Sequence, residues 1–563
     1  MPAAVPPRDM KYRFNWSAPI VVSSFDPRVI YHGANVLLRS DDRGATWREA
    51  SPDLTRNDRS KQGPGGAPIT NEGAGGEIYG TIVTIAESSH DAKTIWIGTD
   101  DGHVQLTRDG GTTWTNVAPP GVGEALVNSI EVSPHAPATA YAAITKYKFN
   151  DFTPHVFKTT DFGKTWTRLV DGIAPEAWAR VVREDPVRRD LLYLGTELGF
   201  YVSFDGGKRW TPFQGNLPLT PITDLKVHQG DLLASTAGRA FWILDDLSPL
   251  RQWDAAPPAA GARLFAPRKA HRVSGLGGGA ARAGRNPPAG AVIDYWLAST
   301  PRDTITLDVL DAKGVVVRSF SSRRPDGAAA GGPMAPRLLP TKPGLNRFVW
   351  DLRREMLPTV PGLYVFGSPQ GRRVAPGTYT LRLTAGGAPQ SQPLVVALDP
   401  RLDTPVSALE AQDTLAAEVL TGLTQVHDGV IRLRDVRGQI EDVVKRAGAV
   451  DGAEAIQKSG RTLVEKLNAL EDLLVQKRVV DGQTVINFPM RLNQFYIYLH
   501  GAIDGSDVGV TNGQRARLAD LSAQWTRHRA TLDALLGTEV AAFNQLARER
   551  NVPAIVVPAP RAR

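Results

Sequence analysis

Apolar and polar residues alternate along the first half of the chain in short runs that end at Gly or Asp. Ile95–Leu106 and Leu192–Val202 share one design, in which an apolar strand runs into a Gly-Thr turn and a second strand follows. Alternation of period two over four to eight residues predicts β-strands with one buried face. Units of this kind recur at intervals of roughly 45 residues or more, a spacing typical of radially arranged sheets.

One octapeptide, S/T-x-D-x-G-x-T-W, marks these units. It occurs at Ser40–Trp47, Thr107–Trp114 and Thr159–Trp166, and with Arg209 in place of Thr at Ser203–Trp210. Asp in a tight turn accepts backbone N–H groups, Gly supplies backbone angles that other residues resist, and Trp buries a large ring between sheets. We therefore predict structural roles for Asp42, Trp47, Asp109, Trp114, Asp161, Trp166, Asp205 and Trp210. A fifth unit over 222–245 keeps the strands without the octapeptide.

The hydrophobic period changes twice further along the chain. Short alternating strands such as Ala291–Ala298 and Thr378–Leu383 predict a small Ig-like β-sandwich. Beyond Pro400 the period becomes about 3.5, as at Val419, Leu423 and Val426, which predicts an antiparallel helical bundle. The predicted fold class is multidomain, mainly β and then α. Its parts are about five blades of a complete or incomplete β-propeller (1–255), an Ala/Gly/Pro-rich connection (256–289), the sandwich (290–400), the bundle (401–550) and a tail (551–563).

Amino-acid composition excludes some classes of binding partner and some kinds of catalytic site. Of the 563 residues, 42% are hydrophobic and 22% charged, and the net charge of +7 is not gathered into a dense basic run, so we expect no nucleic-acid partner. The absence of cysteine excludes disulfides, thiolate metal sites and a cysteine nucleophile. His32, His90 and His155 lack the spacing of metal ligands, so neither a metal nor a cofactor is expected. We expect no membrane span and no signal peptide in this chain.

The octapeptides resemble those of the BNR/Asp-box superfamily, which includes sialidases, xyloglucanase-type glycosidases and sortilin-type receptor propellers. Further segments extend a resemblance over nearly the whole chain, to large bacterial proteins labelled glycosyl hydrolase or sortilin-like BNR-repeat proteins. These segments are Ser51–Asp58, Gly98–Gly102, Gly238–Asp246, Asn346–Arg353 and Ala375–Tyr379.

This resemblance implies a long, double propeller joined to an Ig-like domain and a helical region. The present chain then corresponds to the C-terminal half of that architecture, with the other half on a separate chain or an upstream segment. It also implies a periplasmic or secreted location. Sialidases use an arginine triad, an Arg-Ile-Pro motif and a Tyr/Glu pair; the sequence contains no Arg-Ile-Pro, so no sialidase residue is transferred.

Propeller geometry predicts which side chains meet a ligand. The octapeptide lies between the third and fourth strands of each unit, and the opposite rim carries the entry to the innermost strand and the turn between the second and third strands. Ligands commonly bind at that rim, at the mouth of the central channel. The predicted ligand-binding residues there are Trp16, Asn35, Tyr79, Glu124, Asn128, Trp178, Arg180 and Arg239.

This mixture of aromatic, acidic and basic side chains suits a glycan or a peptide, because rings stack while charged groups orient polar atoms. The first hypothesis is a non-catalytic binding or scaffold protein. The alternative is a glycoside hydrolase, which needs two carboxylates beside the scissile bond; the positions that could supply them are Glu77, Asp100, Asp101 and Glu197. Acids in such turns are usually structural, so no catalytic residue is assigned. A third hypothesis is that the helical region forms homo-oligomers.

Overall fold

The computed structural model describes residues 5–63, 78–253, 261–273, 284, 286–326, 335–356, 359–366, 370–448, 453–552 and 555–558. The chain divides into two compact units, Met1–Pro257 and Pro258–Arg563. The first unit is built from β-sheets, and the second combines β-sheets with a C-terminal helical region. The predicted order, mainly β followed by α, is confirmed.

Consecutive segments of the first unit form antiparallel sheets in which strands adjacent in sequence are adjacent in space. The first sheet comprises Ile20–Val22, Ile30–Gly33, Leu37–Ser40 and Arg48–Glu49, and the second comprises Ile82–Glu87, Ile95–Thr99, Val104–Thr107 and Thr115–Asn116. The third comprises Leu126–Val132, Ala140–Lys146, Asp151–Thr159 and Thr167–Arg168, and the fourth comprises Ala179–Glu184, Leu192–Thr196, Gly199–Ser203 and Thr211–Pro212. The fifth has Ile222–His228, Asp231–Thr236 and Phe241–Leu244. Successive sheets of this kind are propeller-like.

Short helical turns lie between or beside these sheets, at Pro7–Asp9, Arg59–Lys61, Tyr147–Phe149 and Ser248–Arg251.

Neighbouring sheets approach closely at a glycine of the second strand. A Cβ on Gly98 would lie 2.6 Å from Cγ1 of Val127 in the next sheet, and a Cβ on Gly195 would lie 2.7 Å from Cγ2 of Ile222. Both distances are far below van der Waals contact, so any larger residue would push the sheets apart. The Gly of the repeated Gly-Thr is therefore required by sheet packing.

The carboxylate of each complete octapeptide organises its own turn. Asp42 accepts the Thr46 N–H at 2.8 Å and the Thr46 hydroxyl at 2.7 Å, and Asp109 and Asp161 make the same two bonds in their turns. The threonine hydroxyl is the main reason that the pKa of each of these carboxyls falls to about 2. Asp205 accepts only the backbone N–H at this position, because Arg209 has no hydroxyl.

The octapeptide tryptophans differ in burial. The indole N–H of Trp166 donates to the carbonyl of Val117, and that of Trp210 donates to the carbonyl of Leu169. In each case the acceptor directly follows the last strand of the preceding sheet. Trp210 is 1% exposed, whereas Trp47 is 43% exposed and donates to Gly44 in its own turn. Trp47 departs from the predicted burial between sheets because no sheet of the described residues precedes the first one.

In the second unit, two sheets enclose one apolar core that includes Tyr295 and Trp350. One sheet comprises Ala262–Leu264, Ala291–Leu297 and Gly344–Trp350, and the other comprises Ala270–Arg272, Gln390–Leu398, Gly377–Thr384, Thr306–Leu310 and Val316–Ser321. The first strand of each sheet lies in the segment predicted as a connection. Leu264 and Ala270 are buried in the shared core, which is why these short strands form there.

The C-terminal helical region surrounds one long helix, Val406–Ala447. The predicted apolar stripe of this helix, from Val419 to Ile440, is buried. The remaining helices are Glu454–Leu474, Thr484–Asn487, Leu492–Asp504, Asn512–Ala534, the π-helical turn Leu535–Glu539, and Val540–Glu549. Among the helices of the described residues, none combines the length and apolarity that crossing a bilayer requires.

Candidate functional site

A cavity of about 340 Å³ opens in the first unit, where the starts of the innermost strands come together. Each of the five sheets, or the segment leading into it, contributes to the wall. The lining residues are Asn15, Ser17, Tyr79, Val83, Asp100, Leu126, Asn128, Thr145, Tyr147, Lys148, Phe149, Arg180 and Thr223.

Four of the residues predicted at the rim line this cavity: Tyr79, Asp100, Asn128 and Arg180. They come from three different sheets and the turns between their strands, which the repeat geometry brings to one place. Trp16 follows the lining residue Asn15 and is 71% exposed.

Asp100 is the acidic group of the described lining. Its Oδ1 accepts the N–H groups of Gly80 at 3.0 Å and Thr81 at 2.8 Å, and its Oδ2 accepts the Thr81 hydroxyl at 2.9 Å. Burial raises the pKa of the Asp100 carboxyl to about 7; the Thr81 N–H opposes this rise and the charge of Asp101 adds to it. The cavity therefore presents a carboxyl whose charged form is disfavoured by burial.

Tyr79 contributes a buried hydroxyl that has no hydrogen-bond partner among the described residues. Burial is the main reason that the pKa of this phenol is raised, and the nearby carboxylate of Glu124 raises it further. The Lys61 ammonium lies 5.7 Å from the centre of the ring, and Lys61 also pairs with Glu124. A buried hydroxyl without a partner is costly, so a ligand atom that reached it would gain a hydrogen bond.

Two polar side chains of the cavity wall, Arg180 and Asn128, are held in place by hydrogen bonds to neighbouring side chains. The Arg180 guanidinium pairs with Glu197, which fixes the arginine at the cavity. Asn128 donates its amide to the Thr145 hydroxyl, which in turn donates to the carbonyl of Ala179 at 3.0 Å. Glu197 is thus a partner of Arg180 and is not itself in the lining.

An aromatic group borders the cavity on the side of the third sheet. The rings of Tyr147 and Trp178 are stacked with centroids 5.8 Å apart, and Phe152 lies 5.5 Å from Trp178 at a tilt. Tyr147 and Phe149 form a short turn that ends at Asn150, whose φ of 62° is left-handed. Three aromatic residues, Tyr147, Phe149 and Phe152, fall within six positions of the sequence, and this concentration was the signal for these contacts.

The other predicted residues lie elsewhere. Asn35 is buried between the Arg13 N–H and the Asp53 carboxylate, and Asp101 is buried between the Thr99 hydroxyl and the Arg56 N–H. Both partners of Asn35 and the Arg56 partner of Asp101 are remote in sequence, so local pattern did not reveal these contacts. Arg239 is exposed outside the lining, where its carbonyl accepts the Trp242 indole N–H at 2.9 Å. Glu77 lies outside the described residues.

The arrangement favours recognition of a polar ligand with an apolar or ring-shaped part. One titrating carboxyl, one fixed guanidinium, an amide, hydroxyls and a stacked aromatic group face the same space. Within the part of the chain that the structure describes, no group of three or more His, Asp or Glu is arranged to hold a metal ion.

No protein-family model matches the chain, and no curated protein matches it. Among solved structures, YCF48 bound to D1 peptide is 19% identical over 28% of this chain and 49% of its own, with a TM-score of 0.23. An ancestral GH74 enzyme is 13% identical over 70% of this chain and 48% of its own, with a TM-score of 0.31. The GH74 xyloglucanase from Xanthomonas campestris is 14% identical over 66% of this chain and 57% of its own, with a TM-score of 0.32. The chain thus spans only about half the length of these proteins, and at these TM-scores nothing about its activity follows from the likeness.

Proposed function

We propose that the chain is a binding protein whose first unit is an Asp-box propeller, and that its cavity holds a glycan or a peptide without transforming it. The observation that carries this proposal is the convergence of Tyr79, Asp100, Asn128 and Arg180 in one cavity beside stacked aromatic rings. Sugar rings and peptide side chains pack on aromatic faces, while charged and amide groups orient their polar atoms. In this proposal the β-sandwich and the helical region act as spacer and docking surfaces, and the protein works in the periplasm or outside the cell.

The absence of a second carboxylate from the described lining favours binding over hydrolysis. A glycosidase needs two carboxyl groups flanking one bond, roughly 5 to 9 Å apart depending on mechanism. Asp101 is occupied by Thr99 and Arg56, and Glu197 is paired with Arg180.

A glycan array and a peptide array, probed with the purified full chain, test the proposal. We expect saturable binding to one ligand class, weakened at least about tenfold by Tyr147→Ala, because losing an aromatic platform and its buried area costs about 1.4 kcal/mol or more. Tyr498→Ala is the matched control, since Tyr498 is exposed on a helix of the second unit. Binding that both variants weaken equally, or no binding on either array, would contradict a ligand site in this cavity.

A second candidate is glycoside hydrolysis with Asp100 as the general acid. A carboxyl with a pKa near 7 is suited to protonating a leaving group, and this is the observation that favours it. The test is product release from each glycan that the array identifies. Product that disappears in Asp100→Asn but persists in Asp171→Asn, an exposed acid of the same unit, would establish hydrolysis; binding without product would leave the binding protein as the function.

A further inference from the structure

The two ends of the array of five sheets expose side chains whose counterparts inside the array are buried. Strand pairing aligns the sheets residue by residue, so equivalent positions can be compared. We call the side of a sheet that contacts the preceding sheet its leading face, marked by Ile20, Ile85, Ile130, Val182 and Leu225 in sheets one to five. These residues pair with His32, Ile97, Ala142, Leu194 and Ala234 on the second strands.

We call the side that contacts the following sheet the trailing face. Its marker in each sheet is a third-strand residue, and this residue pairs with the second-strand residue that comes directly after the one named above. In sheets one to five these residues are Leu37, Val104, Val156, Phe200 and Phe241.

Every internal contact joins a trailing face to the next leading face in one buried cluster. Leu37 shares a cluster with Ile85, and Val104 shares one with Ile130. The same holds for the two later contacts, which join Val156 to Val182 and Phe200 to Leu225. All eight of these residues are 8% exposed or less.

The two remaining marker residues have no such partner. Ile20 on the first leading face is 66% exposed, and Phe241 on the last trailing face is 85% exposed. Val22 and Ile243 beside them are 54% and 57% exposed, and Trp47 of the first sheet is 43% exposed. In a closed ring of five sheets, the first leading face would pack on the last trailing face, and Ile20 and Phe241 would bury one another. The array therefore ends in two open apolar faces.

We propose that polypeptide outside this sequence fills the space between these faces with one or two antiparallel β-sheets that are apolar on both sides. Residues before the first sheet, Asn15 and Ser17, and Thr223 of the fifth sheet line the same cavity, so the inner ends of the two terminal sheets lie near each other. A sheet that lies between two apolar faces covers both of them only if it is apolar on both sides. A second copy of this chain offers terminal sheets with only one open face each, because the other face is buried against its own neighbour.

The probe for this interface is a fluorescently labelled synthetic polypeptide of residues 179–212, the fourth sheet, which carries apolar residues on both faces at Val182 and Phe200. We expect saturable binding to the full chain, weakened at least about tenfold by Ile20→Ser and by Phe241→Ser. Ile486→Ser is the control, because Ile486 is equally exposed in the second unit. No saturable binding, or binding that neither variant changes, overturns the proposal.

Two measurements on the unliganded chain complete the test. The dye 8-anilinonaphthalene-1-sulfonate binds exposed apolar surface, so it should fluoresce more strongly with the wild type than with the Ile20→Ser/Phe241→Ser variant. Equal fluorescence would mean that the two faces are covered. That result would overturn the proposal whether or not the peptide folds. Sedimentation should give the mass of a single chain. A dimer that Phe241→Ser dissociates would assign the faces to a second copy and would also overturn the proposal.

Discussion

At the scale of single residues, Asp100 links the cavity to the stability of the fold. Its carboxyl has a pKa of about 7 in the folded chain, against an ordinary value of 3.8, because it is buried. Well below pH 3.8 both states are protonated, so there is no penalty. As the pH rises towards 7 only the unfolded state releases the proton, and stability falls; above 7 both states are ionised and the loss is constant, at most about 4 kcal/mol for this displacement.

Asp100→Asn should remove this pH dependence. An amide can keep the bonds from Gly80 and Thr81 through its oxygen and meet the Thr81 hydroxyl through its nitrogen. We expect the melting temperature of the wild type, relative to the variant, to fall between pH 4 and pH 7 and to change little beyond. Subtracting the two curves removes the contributions of other carboxyls. Parallel curves would contradict the raised pKa.

At the scale of one element, the fourth octapeptide lacks a hydrogen bond that the other three have. Thr46, Thr113 and Thr165 each donate a hydroxyl to the turn carboxylate, and Arg209 cannot. Arg209→Thr should therefore stabilise the first unit by about 0.5 to 1.5 kcal/mol, the usual net value of one hydrogen bond. Denaturant unfolding followed by tryptophan fluorescence measures the change.

The reverse substitution supplies the control for that experiment. Thr165→Arg should lower the stability of the unit, because Asp161 then keeps only the backbone N–H at that position. If the two substitutions shifted the unfolding midpoint in the same direction, the missing hydroxyl would not be the cause of either shift.

Elements also show how far the sequence predicts the site. The octapeptides and the alternating strands predict the order of the strands, and Tyr79, Asp100, Asn128 and Arg180, which were chosen from that order, line one cavity. Asn35 has a rim position too, yet Arg13 and Asp53 hold it inside. Such partners come from segments outside the repeat, and a periodic pattern carries no information about them. The contacts of Tyr147 and Phe149 depend on one irregular turn. This turn is not part of the repeat either, so the periodic pattern did not predict them.

At the scale of the whole molecule, each unit depends on contacts between layers that no repeat encodes. In the second unit, Asp507 is buried between two arginines, Arg272 at 2.7 Å and Arg373 at 2.9 Å, and Asp504 pairs with Arg353. The arginines belong to the β-layer and the aspartates to the end of the Leu492–Asp504 helix and the segment after it. These ion pairs therefore join the sheets to the helices within this unit.

Asp507→Asn should separate the unfolding of these two layers. Removing one partner leaves two buried guanidinium groups without their shared carboxylate, which costs about 3 to 5 kcal/mol. We expect calorimetry of the full chain to show the second unit melting at a lower temperature. The loss of the helical signal at 222 nm should no longer coincide with the loss of hydrogen-exchange protection in the β-core strands Ala291–Leu297 and Gly344–Trp350. Asp303→Asn, an exposed aspartate of the same unit, should leave both signals unchanged. Coincident transitions in Asp507→Asn would mean that apolar packing alone, through residues such as Val360 in the helical core, is enough to hold the two layers together.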